Sequence, residues 1–286
     1  MSYLDYFCEL LKRKFINTGF VKEEEIKNYG LNNIQKNFFT DMSAKVKREY
    51  KNGDGKEFEK GDFKRIWSSA AMIFNLLGND NVELLHNCYL PEGRYEKQFE
   101  FKYPTLKRSP RKANLDARLC KEDCEIFIES KCLEWIQNSC NGPLKKSYFN
   151  ENMYFDSVTA ESFIKTGNDI LLSQYDSCQM FKHTLAIYNY LRDNPEKKNK
   201  KIYLVNVVWE PNETELPDEV RDVYKYQLEL EHSEFNLFYK MMNPIITLIK
   251  SSLVKDFDIL YLSVKEFYSI LKYSDEKQEK FVQRYL

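Results

Sequence analysis

Between residues 113 and 135 the chain reads ANLDARLCKEDCEIFIESKCLEW, two strand-like runs joined by a charged segment at 121–123. Alternate side chains of a strand share a face. Glu129 and Lys131 therefore point one way, while Ile126, Ile128 and Ser130 point the other. A turn at 121–123 pairs the two runs antiparallel and brings Asp116 level with Glu129 and Lys131. Two carboxylates and an ammonium then meet at one sheet edge. Hard cations such as Mg²⁺ are held by one or two carboxylates, with water and phosphate oxygens completing the shell. An ion of that kind polarises a phosphoryl group and lowers the pKa of a bound water. A neighbouring Lys can orient that water or stabilise charge in the transition state. The chemistry is metal-assisted hydrolysis of a phosphodiester. The same three residues could equally form a salt bridge on a half-exposed sheet, and spacing alone does not choose between the two.

Other polar residues extend the question. Glu100, in the alternating run YEKQFEFKY at 95–103, could bring a third carboxylate from an adjacent strand, ahead of Glu96. Glu134 either supports Lys131 or simply ends the strand. Gln179 and His183 lie four apart, on one face of a helix, where they serve a site or only bond to neighbours. Ser69 and Asn75 are polar within an apolar helical stretch, and packing or capping explains them as well as substrate contact does. Residues 102–112, KYPTLKRSPRK, carry Lys102, Lys107, Arg108, Arg111 and Lys112 with no acid. Such a loop beside a metal site gathers phosphates, which makes Lys107, Arg108, Arg111 and Lys112 candidate nucleic-acid contacts. Lys145 and Lys146 extend that basic surface. The run KKNKK at 197–201 reads as ordinary solvated charge. No helix-turn-helix or zinc finger is evident.

These residues need elements to position them. Apolar spacing predicts helices over 4–17, 33–51 and 62–77, the last with Asp62 as N-cap and Gly78 as stop. The loop NGDGK breaks the chain after the second. Residues 136–175 read mainly as loop, with a short helix near 159–165. A firmer helix covers 176–192 and ends at Asn194-Pro195. KIYLVNVVWE, 201–210, is a strand buried on both faces. A long helix starts near 218 and continues past Pro244, residues 257–264 are a candidate last strand, and two helical segments close the chain. The order implies an α/β fold with a mixed central sheet flanked by helices and helical extensions at both ends. We divide it as a helical N-terminal extension (1–60), a core (61–211) and a mainly helical C-terminal part (212–286) that adds 257–264 to the core sheet.

The chain has 286 residues, 43% of them hydrophobic, and a net charge of -1. Global charge therefore does not announce a nucleic-acid binder; a local basic patch is still compatible with one. Acidic residues stand near the start where a secretory signal is basic, and no apolar run approaches a membrane span, so the expected location is cytoplasmic. The seven cysteines are odd in number and lack a CxxC pair, which favours free thiols over disulfides or zinc.

Asp116-x12-Glu129-x-Lys131, with an apolar run before the Glu, resembles the PD-(D/E)XK nuclease superfamily. The ordered set SSAAMIFNLLG, ANLDARL, IFIESKCLE, QMFKH and IYLVNVVWEP, spanning roughly 65–211, is similar to bacterial restriction-endonuclease-like proteins. The resemblance implies a restriction-endonuclease-like core acting as a metal-dependent endodeoxyribonuclease in restriction or genome defence. It implies Mg²⁺, with Mn²⁺ as the alternative, held by Asp116, Glu129 and the Ser130 carbonyl, and Lys131 beside the attacking water. Glu100 is a further candidate ligand. Exonuclease-like members carry Gln-x3-Tyr on the following helix; here Gln179 and His183 take those places, and His departs from the pattern. DNA is the implied partner, and cutting of duplex DNA favours a homodimer. The alternatives are a repair or recombination exonuclease of the same fold and a non-catalytic DNA-binding protein.

Overall fold

The alternating run at 93–104 and the unbroken apolar runs at 124–131 and 201–208 become neighbouring strands of one sheet. The computed structural model describes residues 1–19, 21–53, 58, 61–108, 112–137, 142–273 and 275–286. Arg111 and Cys140 lie outside them. Chain order begins with α1 (Tyr3–Asn17), a small ribbon of β1 (Ile26–Lys27) and β2 (Gly30–Leu31), α2 (Ala44–Lys51) and α3 (Ser69–Leu77). Then come β3 (Val82–Leu84), β4 (Gly93–Pro104), β5 (Lys112–Cys120) and β6 (Cys124–Lys131), followed by α4 (Ser157–Gly167) and α5 (Ser177–Asp193). The chain closes with β7 (Lys201–Val208), α6 (Asp218–Ser252), β8 (Asp256–Ser263), α7 (Val264–Ser269) and α8 (Asp275–Tyr285).

The main sheet has the order β3-β4-β5-β6-β7-β8. The first four strands pair antiparallel, and β6, β7 and β8 run parallel. A tight turn suffices between β5 and β6, whereas the parallel pairs need helical crossovers: α4 and α5 between β6 and β7, and α6 between β7 and β8. The expected mixed α/β sheet flanked by helices is the observed fold. Each face of the sheet has its own buried cluster. Ile126 and Ile128 face one that includes residues of α1, α3 and α8, and Phe127 faces the other, with α4, α5 and α6. No described helix is long and apolar enough to cross a membrane.

Two predicted helices are shorter than the apolar spacing suggests. Residues 34–37 form only a 3-10 turn, and α2 starts at Ala44 with Ser43 as its cap. The intervening backbone is held by Asn75 instead: its Oδ1 accepts from the Phe39 N–H at 3.0 Å and its Nδ2 donates to the Asn37 carbonyl at 2.8 Å. Asn75 is thus a structural clamp rather than a substrate contact. Likewise Asp62 opens a 3-10 turn, and α3 begins after Ser68, whose hydroxyl accepts from the Ala71 N–H. A helix cannot run from 62 because the backbone at Arg65 bridges Gly30. Gly78, at φ 71°, does end α3.

Candidate active site

The antiparallel ladder between β5 and β6 runs from Cys120↔Glu125 to Ala117↔Ile128. Beyond that step the strands are joined by a side chain. Asp116 Oδ2 accepts from the Ser130 backbone N–H at 2.7 Å and from the Ser130 hydroxyl at 2.6 Å. Asp116 is therefore fixed to Ser130, on the strand that carries Glu129 and Lys131. The Ser130 hydroxyl also lies 3.3 Å from the Ser69 carbonyl, so the start of α3 packs against this junction.

Glu100 reaches the same place through an unusual backbone. In the β4–β5 ladder Phe99 pairs with Ala117 and Phe101 with Leu115, and the step between them, Glu100 opposite Asp116, is missing. Glu100 has φ 56°, a left-handed conformation that costs about 1–3 kcal/mol in a residue other than Gly and recurs at functional sites. Its carboxylate accepts from Asn114 Nδ2 and rests against Gly53, where any side chain would overlap it. Nothing in the local sequence signals this twist, since Glu100 sits in a clean alternating run.

Glu129 is buried at 4% exposure. Its Oε1 stands 3.0 Å from Lys131 Nζ and accepts from Gln179 Nε2 at 2.7 Å, and its Oε2 lies 3.1 Å from His183 Nε2. Burial alone would push the carboxyl up; Lys131 and His183 outweigh it and hold the group down at about 2. Lys131 also donates to Gln179 Oε1 and lies 3.8 Å from Asp176. Burial works against its charge, but Glu129, Asp176 and Glu134 raise it above the usual lysine range. Asp116 is in the opposite condition. Burial, then the charges of Glu129 and Glu100, push its carboxyl well above the usual range despite the two bonds from Ser130.

The elements behind these side chains are held in turn. Asp176 caps α5 by accepting from the Gln179 N–H. The turn before it is gripped by Glu234 of α6, whose carboxylate accepts from the backbone N–H groups of Ser173, Gln174 and Tyr175. That grip sets where α5 presents Gln179 and His183. Asp176 and Glu234 were not singled out from sequence. The capping position of Asp176 is a legible signal, whereas Glu234 looks like any polar residue of a long helix. Glu134 turns back to accept from the Cys132 N–H at 2.6 Å. Among the described residues no three His, Cys, Asp or Glu side chains close into a metal cage, because Glu129 turns to Lys131, Gln179 and His183 while Asp116 turns to Ser130.

The basic residues lie at the loop end of the β4–β5 pair and on the segment packed against that loop. Lys107, Arg108, Lys112, Lys145 and Lys146 are all exposed. Their two segments are packed together: the Lys107 N–H bonds the Met153 carbonyl at 2.8 Å and the Thr105 hydroxyl meets the Tyr148 hydroxyl at 3.1 Å. Lys112 starts the strand that carries Asp116, about 13 Å away at about 3.3 Å per residue. The run at 197–201 departs from its reading as solvated charge. Lys197 and Lys200 lie 2.9 and 3.2 Å from Glu125 Oε1, a carboxylate with no exposed surface.

The chain matches the family described as Restriction Endonuclease associating with ARP over residues 12–286. The chain belongs to that family. Membership places this restriction-endonuclease-like protein among nucleases, with DNA as the substrate implied. No curated protein and no solved structure matches it.

Proposed function

We propose that the protein is a PD-(D/E)XK endodeoxyribonuclease that hydrolyses DNA phosphodiester bonds with Mg²⁺ or Mn²⁺, in restriction or genome defence in the cytoplasm. The observation that carries this reading is the state of Asp116. It is pressed by burial and by the charges of Glu129 and Glu100, and its own hydrogen bonds come from a neutral serine. A salt bridge leaves no such deficit of positive charge; a hard cation removes it. The donor set is all oxygen, as Mg²⁺ and Mn²⁺ prefer. Asp116, Glu129, the Ser130 carbonyl and Glu100 are the groups that would hold the ion. When bound, such an ion polarises the phosphoryl group and lowers the pKa of a water molecule beside it.

The chain's own residues do the rest. Lys131, kept cationic by Glu129 and Asp176, orients the attacking water and stabilises the charge that grows on the phosphoryl oxygens. Gln179 fixes Lys131 and Glu129 relative to one another, and His183 braces the far oxygen of Glu129. Lys107, Arg108, Arg111 and Lys112 hold the DNA backbone. Cutting both strands of a duplex takes two such sites, which a homodimer supplies.

Supercoiled plasmid DNA with Mg²⁺ tests this reading. Nicked and linear products are expected from the parent, and none with chelator, Asp116→Ala or Lys131→Ala. Unchanged cleavage in both variants overturns the site. An exonuclease needs DNA ends, so degradation of linear but not circular DNA would instead favour the repair reading.

A further inference from the structure

Beside Lys131 lies a cavity of about 20 Å³, lined by Lys131, Glu134, Gln174, Asp176, Asn206 and Glu231. That is room for one water molecule, which needs two to four polar partners. Two of the lining groups are acceptors that their own neighbours leave unmet. Glu231 Oε2 and Asn206 Oδ1 are buried without a hydrogen-bond partner, and their residues are only 2% and 3% exposed. Glu231 projects from α6, in the C-terminal part, and occupies a place where an apolar residue would pack more easily.

We propose that Glu231 is a positioning residue for Lys131. As a neutral acid it donates a hydrogen bond into the cavity, to Asn206 or to a water there, and leaves Lys131 with Glu129. As a carboxylate it draws the Lys131 ammonium toward the cavity and away from the reaction. This inference rests on the reading of Lys131 given above. The surroundings support it. Burial comes first and the charges of Glu234, Glu210 and Asp176 add to it, against Lys131, which pulls the other way; together they raise the Glu231 carboxyl to about 8. Tyr175 and Tyr261 also face it, and burial pushes both phenols well up, so they stay neutral. Glu134 also stands on the cavity wall. His232, its neighbour on α6, is engaged with Glu210 at 2.7 Å. Glu231 is thus the group of this cluster that changes charge near pH 8.

Cleavage rates of the parent and of Glu231→Gln, compared from pH 6 to 9.5, test the proposal, because the ratio cancels pH effects common to both. The two are expected to match at pH 6.5. At pH 9, one unit above the transition, the parent falls about tenfold behind. A ratio that does not change with pH while both cleave overturns it. Melting temperatures give a second readout that needs no activity. The gap between Glu231→Gln and the parent is expected to widen from pH 5 to about 8 and then stay constant. In a Lys131→Met background the widening continues to higher pH, because Lys131 lowers the Glu231 carboxyl. A gap that ignores pH, or ignores Lys131, overturns the proposal. Absence of cleavage in both proteins sinks the nuclease reading, and the melting curves still decide whether Glu231 and Lys131 are coupled.

Discussion

β6 carries two buried glutamates on one face, Glu125 and Glu129, four residues apart. Their surroundings are opposite. Glu125 meets Arg118 at 2.7 Å, Lys197 at 2.9 Å and Lys200 at 3.2 Å, and Tyr190 donates to it at 3.2 Å. Burial would raise its carboxyl, but Arg118 and Lys197 hold it below the usual range. Positive charge exceeds negative there. At Glu129 the balance reverses: Lys131 is shared with Asp176, while Asp116 and Glu100 crowd in from the next strands. The Glu125 cluster is a structural salt bridge, built to be neutral or cationic. The Glu129 cluster has the excess of carboxylate that a structural role has no reason to keep.

Exchanging each glutamate for its amide breaks that comparison most sharply. Glu129→Gln is expected to lower plasmid cleavage on the order of 10²–10³-fold or more with the fold retained. Glu125→Gln leaves its cations buried without their counter-charge, which costs about 3–5 kcal/mol, yet cleavage per folded molecule should match the parent. Rates normalised to the folded fraction, with urea titrations for stability, separate the two. Equal losses of activity at both positions would remove the distinction.

A smaller but more diagnostic effect is expected at Asp116. Its folded carboxyl lies well above the unfolded value of 3.8. The folded state therefore binds more protons than the unfolded state above that pH, and stability falls as pH rises. Asp116→Asn removes this penalty, so it should melt higher than the parent at pH 7.5 while losing cleavage. Magnesium should narrow the gap: at ten times its Kd it stabilises the parent by about 1.4 kcal/mol, or about 3 °C, and leaves the variant unmoved. A variant that melts lower than the parent without metal would contradict the charge deficit.

The acid limb distinguishes Glu129 from Asp116 by sign. Glu129 falls from 4.5 to about 2 on folding. Its contribution is complete above the unfolded value and is lost as pH drops from about 4.5 toward 2. The parent's melting temperature should therefore fall more steeply across that window than that of Glu129→Gln. Parallel curves would mean that Lys131 and His183 do not hold the carboxylate.

The strand pattern made the hairpin legible, because period-two alternation decides which side chains share a face. Asp116, Glu129 and Lys131 could be brought together from that rule and one turn. The grip of Gln179 on both Glu129 and Lys131 was half legible: helical spacing paired it with His183 but could not say what the pair would face. What stayed hidden depends on distant backbone. Glu100 enters through a left-handed residue that no local propensity announces. Asn75 cuts a predicted helix short from 36 residues away, and the run at 197–201 is drawn to a carboxylate on β6. Glu231 and Glu234 look like ordinary polar positions of α6 until the crossover lays that helix along Lys131 and the start of α5.

The smallest expected effect lies at the exposed edge, and it tests whether the excess of carboxylate at Glu129 is matched by cations that belong to the substrate side. Lys107 and Arg108 are exposed on the loop between β4 and β5, beyond the Pro104–Lys112 end of the strand pair that carries Glu100 and Asp116. A phosphate contact made there releases about one counterion. Lys107→Ala and Arg108→Ala should each reduce the slope of log affinity against log salt by about 1. Binding should weaken alike for all DNA sequences, and the cleavage rate at saturating DNA should stay near that of the parent. Measured as anisotropy of labelled duplex in Ca²⁺, this isolates binding from chemistry. An unchanged slope would place the DNA backbone elsewhere on the molecule, and the loop would then be solvated charge like any other.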